Sequence, residues 1–266
     1  MVTTFQEIDW YDLPGLYDAI FDADTGREAD FLEAVQREFG ATRGKRALEP
    51  ACGSGRLVLE LARRGWRVYG TDLNANMLAY ARERLDAAGD ATSSRATLRQ
   101  LDMSERLPTR GRFDLAHCFV STFKYLLTEN AARRHLEAVA EALKPGGLYV
   151  LGFHLSDYED RGLTRERWTA KHEEGDVVCN IQSWPPDPKT RLERVRSRLS
   201  IRQAGVQRRS ETHWNFRTYT AHEARRLLAK VPALEHIETF DFTYEIERPI
   251  PFDGEQLDVV LVLRRR

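Results

Sequence analysis

The sequence predicts an α/β fold: a mostly parallel sheet with helices on both faces, plus a small antiparallel β insertion late in the chain. Three observations carry this. From Ala47 to Phe153, short apolar runs alternate with stretches of helical periodicity. That alternation places helices on both faces of a parallel sheet. Residues 177–219 hold strand-like runs with no helix between them, and Pro185-Pro186-Asp187-Pro188 and Ala204-Gly205 mark the turns.

The elements follow in order. Leu13, Leu16, Tyr17, Ile20 and Phe21 share one helical face, and Pro14 suits its first turn. Phe31, Leu32, Val35 and Phe39 mark a second helix, closed by Gly40. Residues 1–44 are thus expected to be a helical cap. The first strand runs through Ala47 and Leu48 and stops at Glu49. Gly53 and Gly55 make a turn in which backbone rather than side chain meets a ligand. Leu57, Val58, Leu61 and Ala62 recur at helical spacing until Gly65, and Trp66 to Gly70 form a second strand ending at Asp72. Asn74 caps a helix carrying Met77, Leu78, Ala81 and Leu85. Residues 91–96 read as a polar loop, 97–101 as the third strand and 113–120 as the fourth. Thr128 caps a helix whose inner face is Ala132, Leu136, Val139 and Leu143, and residues 148–153 are the fifth strand. Ligands in such sheets bind outside the carboxyl ends of the strands. Glu49, Asp72, Asp102 and Cys118 all lie at those ends, so one crevice collects them.

Residues 156–218 are expected to form the insertion, a lid over the acceptor, with three strands at 177–184, 192–203 and 207–219. In the middle one, Val195, Leu199 and Ile201 alternate with Arg194, Arg196, Arg198 and Arg202, giving an apolar and a basic face. With Arg208 and Arg209 nearby, the basic face is read as solvated and partly offset by Glu193 and Glu211. An acidic substrate, a phosphate backbone or a subunit contact are the alternatives. Thr220 caps a helix over 221–230, and 234–245 and 256–264 are the last two strands. Residues 45–155 and 219–266 thus make the core.

The 266 residues carry a net charge of −1, which gives no global pull toward nucleic acid or anionic lipid. Cys52, Cys118 and Cys179 are an odd set without metal spacing, which favours a reducing compartment. No run is apolar for long enough to span a bilayer, and the acidic N-terminus lacks a signal-peptide core. A cytoplasmic protein, monomer or homodimer, without membrane association is expected.

Asp72 ends the second strand, where a carboxylate accepts both hydroxyls of a ribose. A dinucleotide fits poorly. The third glycine of its fingerprint falls at Val58, and Glu49 would repel a pyrophosphate. Adenosine joined to a cation fits better, and S-adenosylmethionine (SAM) is such a ligand.

Glu49-Pro50-Ala51-Cys52-Gly53-Ser54-Gly55 resembles the first motif of class I SAM-dependent methyltransferases. Asp72 matches that family's ribose-binding position. Gln100-Leu101-Asp102-Met103 resembles its adenine-amine segment, and Leu143-Lys144-Pro145-Gly146-Gly147-Leu148 the turn before its fifth strand. The likeness covers about residues 47–153, and Arg56 stands where many members carry a third glycine. The resemblance implies a Rossmann-like seven-stranded sheet, SAM as cofactor and S-adenosylhomocysteine as product. Carried over position by position, it implies cofactor contacts at Glu49, Ala51, Cys52, Gly53 and Gly55. Further contacts follow at Asp72, Leu73 and Met77, at Leu101, Asp102 and Met103, and at Cys118 and Phe119. In that family the early helices cover the cofactor, which places Trp10, Tyr11 and Tyr17 over its methionine part.

Methyl transfer is an in-line displacement with an excellent leaving group, so positioning and water exclusion can suffice. His154 ends the fifth strand and is the candidate proton acceptor. Ser121, Thr122, Lys124 and Tyr125 should line the crevice mouth. Trp10, Tyr125, His154, Trp214 and Phe216 are the candidate substrate contacts, with Tyr219 beside them. Cys118 follows His117 rather than a proline, which argues against a covalent cytosine methyltransferase. The acidic and amide cluster of a metal-dependent route is not supplied by His117 and Ser121, so no metal is expected. The expected activity is methylation of an oxygen or nitrogen of a small molecule. RNA or protein methylation, and SAM binding without catalysis, are the rivals. Nucleic acid is not an expected partner, because the adenine-methylating signature is missing.

Overall fold

The computed structural model describes residues 6–7, 10–107, 110–172, 175–203 and 206–266. A two-residue strand, β1 (Gln6–Glu7), precedes helices α1 (Pro14–Phe21) and α2 (Thr25–Phe39). Strands and helices then alternate: β2 (Arg46–Pro50), α3 (Arg56–Arg63), β3 (Arg67–Asp72), α4 (Ala75–Ala87), a single turn α5 (Asp90–Ser93) and β4 (Ala96–Gln100). After these come β5 (Phe113–Cys118), α6 (Glu129–Ala142) and β6 (Leu143–His154). Four strands follow without a helix: β7 (Thr164–His172), β8 (Gly175–Ser183), β9 (Leu192–Gln203) and β10 (Val206–Arg217). The chain closes with α7 (Ala221–Ala229), β11 (Leu234–Phe240) and β12 (Asp258–Arg265).

The larger sheet has seven strands in the order β11-β12-β6-β5-β2-β3-β4, and only β12 runs opposite to the rest. Its centre is buried on both faces, as every residue of β5 shows. One apolar layer packs β5 and β6 against α6 and α7 through Leu136, Val139, Leu151 and Leu227. The other packs the sheet against α2, α3 and α4 through Leu32, Leu57, Leu61 and Leu78. Burying a leucine or valine in such a layer contributes about 2 kcal/mol. The side chains of Asn74, Thr128 and Thr220 accept backbone N–H bonds at the starts of α4, α6 and α7, and Glu223 completes a capping box.

The smaller sheet, the expected lid, has the order β1-β10-β9-β8-β7. The three expected strands are here four, with β1 added in parallel. The sequence hid β7 because Arg165, Glu166, Arg167 and Lys171 populate both of its faces, leaving Trp168 as its one large half-buried ring. Leu16, Val177, Cys179, Leu199 and Ile201 pack beneath the lid. The two early helices therefore part company. In α2, Phe31 meets Phe240 of the core at 5.2 Å, whereas Phe21 of α1 meets Trp168 of the lid at 5.2 Å.

Other boundaries shift for local reasons. The expected loop at 91–96 includes the turn α5. Leu143 has extended dihedrals and opens β6 rather than completing the face of α6. The fourth strand stops at Cys118, because Val120 and Ser121 take left-handed dihedrals. β11 stops at Phe240, where the Asp241 carboxylate accepts the Thr243 N–H at 2.9 Å and turns the chain. Tyr219 does not reach over the crevice; it is fully buried 5.7 Å from Phe123 and 5.8 Å from Phe153. Among the described residues no helix is long and apolar enough to cross a membrane.

Candidate active site

The site lies at the carboxyl ends of β2 to β6, and its first half is the turn after β2. Ala51, Gly53 and Gly55 all have positive φ, 54°, 53° and 71°. The two glycines do different work. A Cβ on Gly53 would meet nothing within 4 Å, so that backbone faces open space. A Cβ on Gly55 would lie 2.8 Å from Ala81 Cβ, so Gly55 lets α3 approach α4. Asp72 Oδ2 accepts the Gly53 N–H at 2.7 Å, and Oδ1 accepts the Asn74 N–H at 2.8 Å. The carboxylate is thereby fixed between the turn and α4. Burial nonetheless raises its pKa, the backbone N–H donors opposing.

Glu49 lies below this turn, buried, with Oε2 lacking a hydrogen-bond partner among the described residues. Burial pushes its carboxyl up to about 8. His117 Nδ1 is 3.9 Å from Glu49 Oε1, and neither ring nitrogen of His117 has a hydrogen-bond partner among the described residues. Burial pushes that imidazole down to about 3, so it is neutral at pH 7. On the rim, Leu73 is 66% exposed next to Asp72. Leu101, Asp102 and Met103 are half-buried after β4, and Asp102 Oδ1 accepts the Ser104 N–H at 2.7 Å. Met77 is buried in the first turn of α4.

Two buried polar groups tie the early helices to this turn. Arg56 pairs with Glu28 and donates to Thr25 Oγ1 at 3.1 Å, so the side chain that replaces a third glycine anchors α3 to α2. Asp18 of α1 accepts from Ser54 Oγ and pairs with Arg84 of α4. Neither tie has a marker in the sequence beyond a polar residue on an otherwise apolar face. Cys52 and Cys118 are buried, and burial pushes the Cys118 thiol up to about 12, with a hydrogen bond to Tyr149 opposing. Phe119 packs 5.8 Å from the His117 ring.

The second half is a cavity of about 350 Å³ between these strand ends and the inner face of the lid. Tyr11 and Tyr17, Ser121 to Tyr125, His154, Trp168, Trp214 and Phe216 line it. Tyr17, expected over the cofactor, thus also faces this cavity. The Trp10 side chain lies outside the described residues. His154 and Asp258 are directly opposite in the β6–β12 ladder, and the His154 Nδ1 bonds the Asp258 carboxylate. That hydrogen bond holds the Asp258 carboxyl below its ordinary range. With Nδ1 engaged, Nε2 is the nitrogen left to accept a proton. Ser121 Oγ accepts the His154 backbone N–H at 3.2 Å, and Phe242 packs edge-on 5.0 Å from the imidazole.

Lys124 is buried and donates to Glu193 Oε2 of β9 at 3.1 Å, joining lid to core, while its ammonium lies 5.1 Å from the Phe216 ring. Val120 and Ser121, with φ of 55° and 62°, carry the chain into the cavity wall. A β-branched residue in that region is an outlier, and such strain gathers at functional sites. Sequence reasoning missed Asp258, Glu166 and Trp168. Only strand register brings Asp258 to His154, and no local signal marks it. The arginine stripe lies away from this site. Val195, Leu199 and Ile201 face the lid's packed side, so Arg194, Arg196, Arg198 and Arg202 take the opposite face. Arg198 Nε bonds Glu211 there at 2.5 Å. Among the described residues no three His, Cys, Asp or Glu side chains group to hold a metal.

A doubly wound sheet with a glycine turn under an acidic strand end defines a nucleoside-binding α/β protein. The residues suit SAM: Asp72 for a ribose diol, Glu49 below the open turn for an ammonium, and apolar Leu73, Leu101 and Met103 for adenine. A family model described as a methyltransferase domain matches residues 47–147. A protein of Geobacillus sp. (strain WCH70), named as a methyltransferase, is 31% identical over 165 residues, covering 62% of this chain and 63% of that one. The match therefore spans less than two thirds of that relative's length. A SAM-dependent methyltransferase of Clostridium acetobutylicum ATCC 824 superposes with a TM-score of 0.76 at 19% identity, over 96% of this chain and 98% of that one. The sugar N-methyltransferase KedS8 of Streptoalloteichus sp ATCC 53650 superposes with a TM-score of 0.73 at 20% identity, over 100% and 97%. The chain thus carries a methyltransferase domain over residues 47–147, and its fold is that of the SAM-dependent methyltransferase structures.

Proposed function

We propose that this chain transfers the methyl group of SAM to a nitrogen or oxygen of a small molecule held in the cavity, with His154 as proton acceptor. The observation that carries the reading is the His154–Asp258 pair, which opens on a cavity beside the carboxyl ends of the parallel strands. Bound SAM supplies an electrophilic methyl carbon on a sulfonium. Asp72, Leu73, Leu101 and Met103 hold its nucleoside end, and Glu49 and the open backbone at Gly53 face its amino-acid end. The lid and α1 exclude water through Trp168, Trp214, Phe216 and Tyr17. Asp258 holds the Nδ1 proton and fixes the ring, so His154 Nε2 takes the proton that the acceptor sheds. KedS8, whose name gives a sugar nitrogen as its acceptor, lends support to a nitrogen acceptor of that size here. The cavity's limited volume favours a small molecule over a polymer, and the basic stripe's place on the opposite face of the lid removes the main support for RNA. Three buried free thiols accord with a cytoplasmic location.

The test is His154→Gln. The rate of methyl transfer should fall about 100-fold, the usual contribution of a positioned base. SAM affinity, read by calorimetry, should stay unchanged. Full turnover in that variant would remove His154 from the mechanism.

A further inference from the structure

The acceptor cavity has an uneven charge balance. Five carboxylates line it, those of Asp157, Asp160, Glu166, Glu193 and Asp258, against two basic groups, Lys124 and His154. Lys124 matches Glu193, and His154 matches Asp258. Asp157, Asp160 and Glu166 have no ion-pair partner among the described residues. The first two are held by their own turns, where Asp157 accepts the Glu159 N–H at 2.9 Å and Asp160 accepts the Gly162 N–H at 2.7 Å. Glu166 is different. It stands on β7 directly opposite Ile181, on the face that also carries Trp168, and looks into the cavity. The surrounding walls raise its carboxyl above the ordinary range, with Asp258 and Glu193 adding to the effect and His154 opposing it.

The remaining walls are aromatic. Trp168, Trp214, Phe216, Tyr17 and Phe21 surround the same space. One of the cavity's rings already carries a cation: the Lys124 ammonium lies 5.1 Å from the ring centre of Phe216. A ring's negative face attracts a cation, most strongly where water is excluded. An anionic acceptor would meet unmatched like charge here. A neutral alcohol would leave Glu166 without a counter-charge. A protonated amine satisfies both the carboxylate and the rings.

We infer that the acceptor is a small protonated amine with an apolar body, and that Glu166 is the carboxylate that selects it. The inference rests on the methyltransferase reading and narrows it from nitrogen or oxygen to an amine nitrogen. The amine must lose one proton to free its lone pair, and His154 Nε2 takes that proton and passes it to solvent. One N–H bond is then replaced by one N–CH3 bond. The methyl–sulfur bond breaks with its electron pair left on sulfur, and one proton is released.

The test uses the full chain saturated with S-adenosylhomocysteine and three probes of one shape: cyclohexylamine, cyclohexanol and cyclohexanecarboxylate. Binding is read at pH 7.5 by calorimetry and by tryptophan fluorescence, since Trp168, Trp184 and Trp214 line the cavity. Cyclohexylamine should bind at least about tenfold more tightly than either other probe, a preference typical of one charge-assisted contact. Glu166→Gln should abolish that preference while leaving S-adenosylhomocysteine affinity and the melting temperature unchanged. Equal binding of the three, tighter binding of the carboxylate, no binding of the amine, or a preference that survives Glu166→Gln overturns the inference. A chain that fails to bind S-adenosylhomocysteine overturns the methyltransferase reading itself, and this inference with it.

Discussion

At the scale of single residues, Asp72 shows how a site is set before any ligand arrives. Its two oxygens already accept the Gly53 and Asn74 backbone N–H groups, so the remaining lone pairs point from a fixed carboxylate. Replacing it by alanine removes the acceptor for two ribose hydroxyls, each a hydrogen bond to a charged group worth about 1.5 kcal/mol or more. Asp72→Ala should therefore weaken SAM binding about 150-fold by calorimetry. Unchanged affinity would take Asp72 out of the cofactor site. The acidic strand end was legible from Asp72 and its spacing from the glycines. Arg56 was legible only as a departure, because the carboxylate that makes it tolerable, Glu28, lies 28 residues earlier on another helix. Burial alone lowers an arginine's pKa, but beside Glu28 the net effect is upward. A buried pair of this kind is costly to break from one side.

At the scale of elements, the parallel core was the readable part, because its strands and helices are amphipathic or continuously apolar over whole segments. The caps at Asn74, Thr128 and Thr220 are local chemistry and were legible for the same reason. The lid was read less well. β7 carries charge on both faces, and its pairing with β8 comes from backbone register rather than from any hydrophobic alternation. The dyad partner Asp258 was hidden likewise, since antiparallel register and not sequence distance sets it against His154, 104 residues away. What holds lid to core is also non-local. Lys124, 3% exposed at its side chain, depends on Glu193 for its counter-charge. Glu193→Ala leaves that ammonium buried and unpaired, a costly state. Hydrogen exchange should then quicken about tenfold or more at β9 and β10 amides and stay unchanged at β2 and β5, because loosening is local before it is global. Equal protection in both sheets would show that the pair does not fasten the lid.

At the scale of the whole molecule, the buried ionisable groups of the core make stability depend on pH in two opposed ways. His117 and His135 are held neutral, burial pushing them down to about 3 and about 4. Below an unfolded value of 6.5 the unfolded chain binds their protons first, so stability rises with pH from about 4 to 6.5. Glu49 works the other way. Its folded value, about 8, lies above its unfolded 4.5, so the folded chain binds the extra proton between them and stability falls as pH rises through that window. Between pH 7 and 8 these histidines are mostly neutral in both states, and Glu49 is the main group of the three left. The melting temperature of the ligand-free protein should therefore decline from pH 7 to 8, and Glu49→Gln should remove the decline. Saturating SAM should flatten it as well, because an ammonium seated over Glu49 favours the ionised carboxylate. A slope that persists unchanged in Glu49→Gln would place the titrating group elsewhere. A slope lost in the variant but untouched by SAM would mean that the cofactor's cation does not sit over this carboxylate.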